Sequence, residues 1–217
     1  MTVLLRTLIL IRHASAESFP SFSGGGDFRR RLTPRGIREA EKNAFRLRMA
    51  LSETERTAAP PAATPHGGML LPADPQNSGS TPCNGRGNGN KRAGNREEER
   101  LIFSSPALRA LETAEIFGRE LGFTPGEIAA MREIYGGDAD TLRDLLEQTG
   151  KEVTTVLLFG HNPAVSILAS GLCPGLSDAF FPPGTVAGMS FASENWRLPR
   201  SLQMKKRFYL VPDAVLS

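Results

Sequence analysis

The chain has 217 residues, of which 40% are hydrophobic and 23% charged, with a formal net charge of +3, a composition that suits one soluble domain, with or without a large insertion, and a proper core. The basic residues are not interleaved with aromatics, and no apolar run approaches the ~18 residues of a membrane helix, so neither nucleic acid nor membrane is an expected partner. Cys83 and Cys173 belong to no C-x-x-C or Cys/His cluster, which argues against a zinc site or a disulfide framework and fits a reducing cytoplasm.

The first element is the most informative. Leu8, Ile9, Leu10 and Ile11 run directly into Arg12 and His13, the pattern of a buried strand that delivers a cation and an imidazole at its C-terminal end. Open α/β sheets bind ligands at that edge. Imidazole is a competent nucleophile towards phosphorus, and a guanidinium clamps phosphate oxygens. The N-terminus has the outline of a secretory leader, but Arg6 splits its apolar run and Arg12-His13 follow it, so it is read as the first strand.

Residues 18–26 (SFPSFSGGG) read as a loop. Asp27 to Gly36, DFRRRLTPRG, places three arginines near the first strand's exit, with Arg29 and Arg31 expected on a solvated face. Thr33 and Pro34 supply an N-cap and a first-turn proline. Ile37, Ala40, Ala44, Leu47 and Leu51 then predict a helix of about four turns with its stripe on the sheet.

Between Ser52 and Glu99 the character changes. These 48 residues hold 13 Gly plus Pro and no aromatic, Val or Ile. Such a stretch buries too little apolar surface to offset its ordering entropy, so residues 52–99 are expected to be a disordered or loosely packed insertion in one domain spanning 1–217. No chemistry is expected of His66 or Cys83 within it.

A short strand at Leu101 to Phe103 follows, then a helix N-capped by Ser105, with Pro106 in its first turn and a stripe of Leu108, Leu111, Ala114, Phe117 and Leu121. Arg109 falls in the first turn, where a side chain can lean into a pocket beside the strand. Val153 to Phe159 is the next strand, ending at Gly160-His161, with Asn162-Pro163 opening a helix. Two of the chain's three histidines thus stand at strand C-termini. Together with Arg12 and Arg109 they form a cationic constellation suited to a phosphoryl group. Thr141 to Leu146 reads as a helix, Thr185 to Ala192 and Arg207 to Val211 as strands, ENWRLP as a turn, and Lys205 to Arg207 as edge charges. Phe180 and Phe181 either line the pocket mouth or pack beneath it.

RHA at Arg12 to Ala14, D-x-x-R-x-L-T from Asp27 to Thr33, SSP-x-x-R-A-x-x-TA from Ser104 to Ala114 and GHNP from Gly160 to Pro163 together resemble the histidine phosphatase superfamily, and within it the SixA-type phosphohistidine phosphatases. The resemblance implies a three-layer αβα domain around a mixed, mostly parallel sheet. It implies His13 as the nucleophile of a phosphohistidine intermediate, with Arg12, Arg109 and His161 holding the phosphoryl oxygens, Arg30 at the pocket rim and Asp27 positioning it. No metal or other cofactor is implied, since the arginines supply the positive charge. Arg31 stands where the pattern usually has proline, an exposed change expected to alter loop geometry alone.

A general acid is the weakest point. Glu133, Asp138 and Asp140 are candidates, with helix capping or plain surface exposure as the alternative for each. A phosphohistidine substrate depends less on a strong acid than an alkyl ester does. The expected function is therefore a cytoplasmic, monomeric phosphatase for a phosphohistidine protein. The alternatives are a phosphomonoesterase for a small metabolite and a silent phosphoprotein-binding module; mutase activity is less expected, because no extended sugar-recognition segment follows RHA.

Overall fold

The computed structural model describes residues 2–18, 26–58, 99–177, 181–199 and 203–212. Six strands, β1 (Leu4–Arg12), β2 (Glu99–Ser104), β3 (Ile128–Ala130), β4 (Val153–Gly160), β5 (Val186–Ser193) and β6 (Lys205–Leu210), form one sheet in the order β3-β2-β4-β1-β5-β6. β3, β2, β4 and β1 pair in parallel, whereas β1 to β5 and β5 to β6 are antiparallel. The expected mixed, mostly parallel sheet is what forms.

Alternation along β1 divides the core. Ile9 and Ile11 face helices α1 (Pro34–Ala58) and α2 (Leu108–Leu121) through Ala40, Ala44, Leu47, Ala114 and Phe117. Leu8 and Leu10 belong to the opposite cluster, with Leu142, Leu145 and Leu146 of α4 (Ala139–Glu147) and Val165, Leu168 and Ala169 of α5 (Ala164–Leu172). Period-two burial in a central strand thus requires a helical layer on each face. A one-turn helix, α3 (Arg132–Gly136), adds Ile134 to the second layer.

Several sequence readings shift. α1 continues to Ala58, into the stretch expected to be insertion; the expectation for residues 59–98, with His66 and Cys83, lies outside the described residues, as does Phe180. Ile37 is 41% exposed: it lines an open cleft with Leu32 and Ile116 instead of the sheet. The stripe beyond it holds, and Thr33 caps α1 by accepting the Gly36 N–H at 3.0 Å. Ser105 is not the cap of α2, whose N-cap is Ala107. Lys205 and Lys206 are exposed on an edge strand, as read. The ENWRLP turn hides a core residue: Trp196 is fully buried and donates to the Val153 carbonyl at 2.9 Å. Arg6, also fully buried, pins the same corner through the carbonyls of Val153, Lys151 and Glu194.

Gly36 fixes how α1 meets the first strand's exit. A Cβ there would lie 1.9 Å from the Ser15 carbonyl oxygen, a backbone atom that already accepts from Thr33. Gly36→Ala is expected to cost about 2 kcal/mol in a denaturant titration, as a forced backbone shift does. Gly171→Ala on α5, where a Cβ meets nothing within 4 Å, should be neutral or stabilising by about 0.5–1 kcal/mol. Equal midpoints for the two variants would contradict the contact.

Candidate active site

β1 and β4 are neighbours in register, Arg12 opposite Gly160, so their C-terminal ends bring His13 and His161 to one point of the sheet edge. The ring centroids are 5.0 Å apart. The backbone holds them there: His13 N–H donates to the Gly160 carbonyl at 3.1 Å, Gly184 N–H to the His13 carbonyl at 2.9 Å, and Ser105 N–H to the Phe159 carbonyl at 2.9 Å. A side chain at Gly160 would collide with Val165 and Ile134. Thr113 ties α2 to the same point, accepting from Ala14 N–H at 3.2 Å and donating to the Arg109 carbonyl at 2.6 Å.

His13 has a defined tautomer. Its Nδ1 lies 2.8 Å from the Ala14 carbonyl, which can only accept, and its Nε2 faces the Arg109 Nε–H at 3.2 Å, which can only donate. The proton is therefore on Nδ1 and the lone pair on Nε2. Burial, with the charges of Arg109, Arg12 and Arg30 acting in the same direction, lowers the His13 pKa to about 4, against the Ala14 hydrogen bond. His161 falls to about 3, mainly through burial and then through repulsion from His13 and Arg109.

Arg109 is 5% exposed. Its two remaining nitrogens hold Asp27: Nη1 donates to the carbonyl at 2.6 Å and Nη2 to the carboxylate at 2.7 Å. The other carboxylate oxygen takes Arg30 Nη1 at 2.8 Å. Burial alone would raise the Asp27 carboxyl, but these arginines outweigh it and bring it to about 2. Arg12 donates through Nη1 to the Phe181 carbonyl at 2.6 Å. His161 Nε2 pairs with Ser105 Oγ at 2.8 Å. Arg12 Nε and His161 Nδ1 are buried with no partner among the described residues, and the Arg12 N–H so placed favours an anion.

All four residues of the expected constellation thus meet. Asp27 holds Arg109 as well as Arg30, which the sequence did not indicate, and Arg30 also reaches the Glu17 carbonyl. Phe181 packs in the core, 1% exposed, and meets the site through its carbonyl. Asp138 caps α4 by accepting from Thr141 N–H at 2.9 Å, and Glu133 and Asp140 are exposed with no hydrogen bond to the four site residues among the described residues. Two contributors went unread. Ser105 orients His161, and Tyr135 donates to Asp27 at 3.1 Å and stands edge-on to His161 at 5.7 Å. Tyr135's proximity to a predicted acid segment was the available signal. Among the described residues, no group of three or more His, Cys, Asp or Glu is placed to hold a metal ion, and no helix is long and apolar enough to cross a membrane.

The low histidine pKa values carry a stability consequence. In an unfolded chain both imidazoles titrate near 6.5, so between about pH 6.5 and 4 the unfolded state binds more protons than the native one. Their contribution is complete above pH 6.5 and is lost as pH falls through that window. The melting temperature of the wild type should fall further between pH 7 and 4.5 than that of His13→Asn. Parallel profiles would mean that His13 is not held neutral by burial.

Residues 91–158 match the sequence profile of the histidine phosphatase superfamily (branch 1). Among curated proteins, no significant sequence match is found. The structure resembles a protein from Nakamurella multipartitia provisionally designated phosphohistidine phosphatase SixA, with TM-score 0.59 and 20% identity over 97% of this chain and 98% of the other. It resembles a similarly designated protein from Agrobacterium tumefaciens with TM-score 0.59 and 21% identity over 95% and 98%. The protein histidine phosphatase SixA complexed with tungstate gives TM-score 0.57 and 20% identity over 95% and 97%. At such identities the likeness concerns the fold.

Proposed function

We propose that the chain, whose residues 91–158 match the histidine phosphatase superfamily profile, is a metal-independent phosphatase whose substrate is a phosphohistidine protein, as the names of the SixA structures suggest. The observation that carries the reading is the His13 tautomer: an unprotonated Nε2, buried and facing the guanidinium of Arg109.

The Nε2 lone pair attacks phosphorus as Arg109 Nε–H turns from that nitrogen to a phosphoryl oxygen. The N–P bond forms, the bond to the leaving group breaks with its electron pair, and the leaving nitrogen takes a proton from solvent. Water then attacks the phosphohistidine, keeping one proton as the new P–OH and releasing the other to solvent, while the N–P bond breaks with its electron pair returning to His13 Nε2 and inorganic phosphate departs. Arg12, Arg109 and His161 Nδ1 are the groups available to the equatorial oxygens, where fixed positive charge lowers the barrier most. A dianion in the pocket would push the His161 pKa upward, against the burial and neighbouring charges that lower it in the free site.

The leaving group supports phosphohistidine over an ester. Asp27 is the carboxylate nearest Arg109, but at a pKa of about 2 it holds no proton to give. Imidazole departs with weaker assistance than an alkoxide. The test is release of inorganic phosphate from a phosphohistidine carrier protein, beside p-nitrophenyl phosphate and alkyl phosphates, without added metal. Faster release from the carrier supports the reading. Preference for an alkyl ester would overturn the substrate class, and phosphate binding without turnover would favour a silent phosphoprotein-binding module.

A further inference from the structure

Two aromatic side chains stand at the mouth of the site. Phe28 is 42% exposed and Tyr135 37% exposed, while Phe117, Phe159, Phe181 and Trp196 are all buried. The pair meets edge to face, with centroids 5.2 Å apart, and Tyr135 is also edge-on to His161 at 5.7 Å. From the 9%-exposed His13 through His161 to Tyr135 and Phe28, the rings therefore step from the buried nucleophile to solvent.

We propose that Phe28 and Tyr135 are specificity-determining residues that stack the leaving group of the substrate and select a planar ring. This rests on the phosphatase reading above. Displacement at phosphorus is in line, so with His13 Nε2 on the buried side the leaving group lies on the solvent side. Tyr135 and Phe28 are the aromatic surface presented there among the described residues. Their orientation is fixed from behind. The Tyr135 hydroxyl is committed to Asp27 at 3.1 Å, and Phe28 directly follows Asp27, whose carbonyl and carboxylate are held by Arg109. Arg30, the nearby cation, is occupied by Asp27 and the Glu17 carbonyl. Among the described residues, such a rim offers ring faces and edges, with the Tyr135 hydroxyl and the Arg30 guanidinium already engaged. It suits an imidazole or a phenyl ring and gives little purchase to the hydroxyls of a sugar.

The test compares ring and non-ring ligands of the same phosphoryl charge on the full chain. Kd values for phenylphosphonate and methylphosphonate are measured by calorimetry, and kcat/KM for phenyl phosphate and methyl phosphate by phosphate release. The wild type is expected to favour the phenyl ligand about tenfold, and Phe28→Ala and Tyr135→Ala each to reduce that ratio about fivefold, the range of one stacked aromatic pair. Tyr135→Phe keeps the ring and should keep the ratio. Absence of a phenyl preference in the wild type, or an unchanged ratio in both alanine variants, would overturn the proposal. So would loss of the ratio in Tyr135→Phe, which would assign the effect to the hydroxyl. Turnover of N-phosphoimidazole against phenyl phosphate then separates a histidine ring from an aryl ester as the source. The phosphonate ratio needs no catalysis, so a wild type that binds but does not turn over would overturn the phosphatase reading and leave the ring surface tested.

Discussion

His13→Ala is expected to lower kcat by about 10⁴-fold or more and to abolish an acid-labile, base-stable phosphoenzyme label, because removing a covalent nucleophile removes both displacement steps at once. His161, 5.0 Å away, pairs its Nε2 with Ser105, whereas it is the His13 Nε2 that faces the Arg109 guanidinium. Rapid quench with a ³²P-labelled substrate, followed by acid and alkali treatment, reads the label directly. A label that survives the substitution would name another nucleophile. His13→Ala should retain affinity for inorganic phosphate, since the guanidinium groups of Arg12 and Arg109 remain.

The second large effect is expected at Arg109. Arg109→Ala should reduce kcat/KM about 10³-fold, the scale of losing a preorganised donor to developing negative charge. It would also leave the Asp27 carboxylate without its buried partner, close to where a phosphoryl dianion must enter. Arg109→Lys should recover less than a tenth of the lost activity. A lysine is a point charge on a flexible stem, whereas three nitrogens of this guanidinium already have separate tasks at His13 Nε2, the Asp27 carbonyl and the Asp27 carboxylate. Steady-state kinetics on one substrate across the three proteins decide it. Near-wild-type activity in Arg109→Lys would show that charge alone is needed there.

Those four residues were legible in the sequence because buried strands announce themselves by apolar runs, and the residue that ends such a run stands at the sheet edge. His13 and His161 were found in that way, and Arg109 from the first turn of a helix that follows a strand. β3 was missed because three residues at the sheet's edge carry no readable period. Trp196 was hidden inside a polar turn, since its burial depends on a corner made by Arg6 and Val153, far away in sequence. Ile37 kept the helical period but met a cleft, because periodicity gives the face of a helix and not what covers each turn of it. The position of Asp138 has a related explanation. Proximity along the chain to Tyr135 did not bring Asp138 inward, because its carboxylate satisfies the N-terminus of α4. Tyr135 itself became visible only when Asp27, 108 residues earlier, arrived beside it.

α1 begins at Pro34, against the exit of the first strand, and its 25 residues carry the chain about 37 Å away before Ala58. β2 starts at Glu99 and runs back towards the site over six residues, roughly 17 Å at the usual rise of a strand. Both junctions of residues 59–98 therefore sit at the pole remote from chemistry. For protein engineering this is a natural grafting position: a fluorescent reporter, an affinity handle or a targeting module spliced between those two points would be held away from the mouth through which substrate comes and goes.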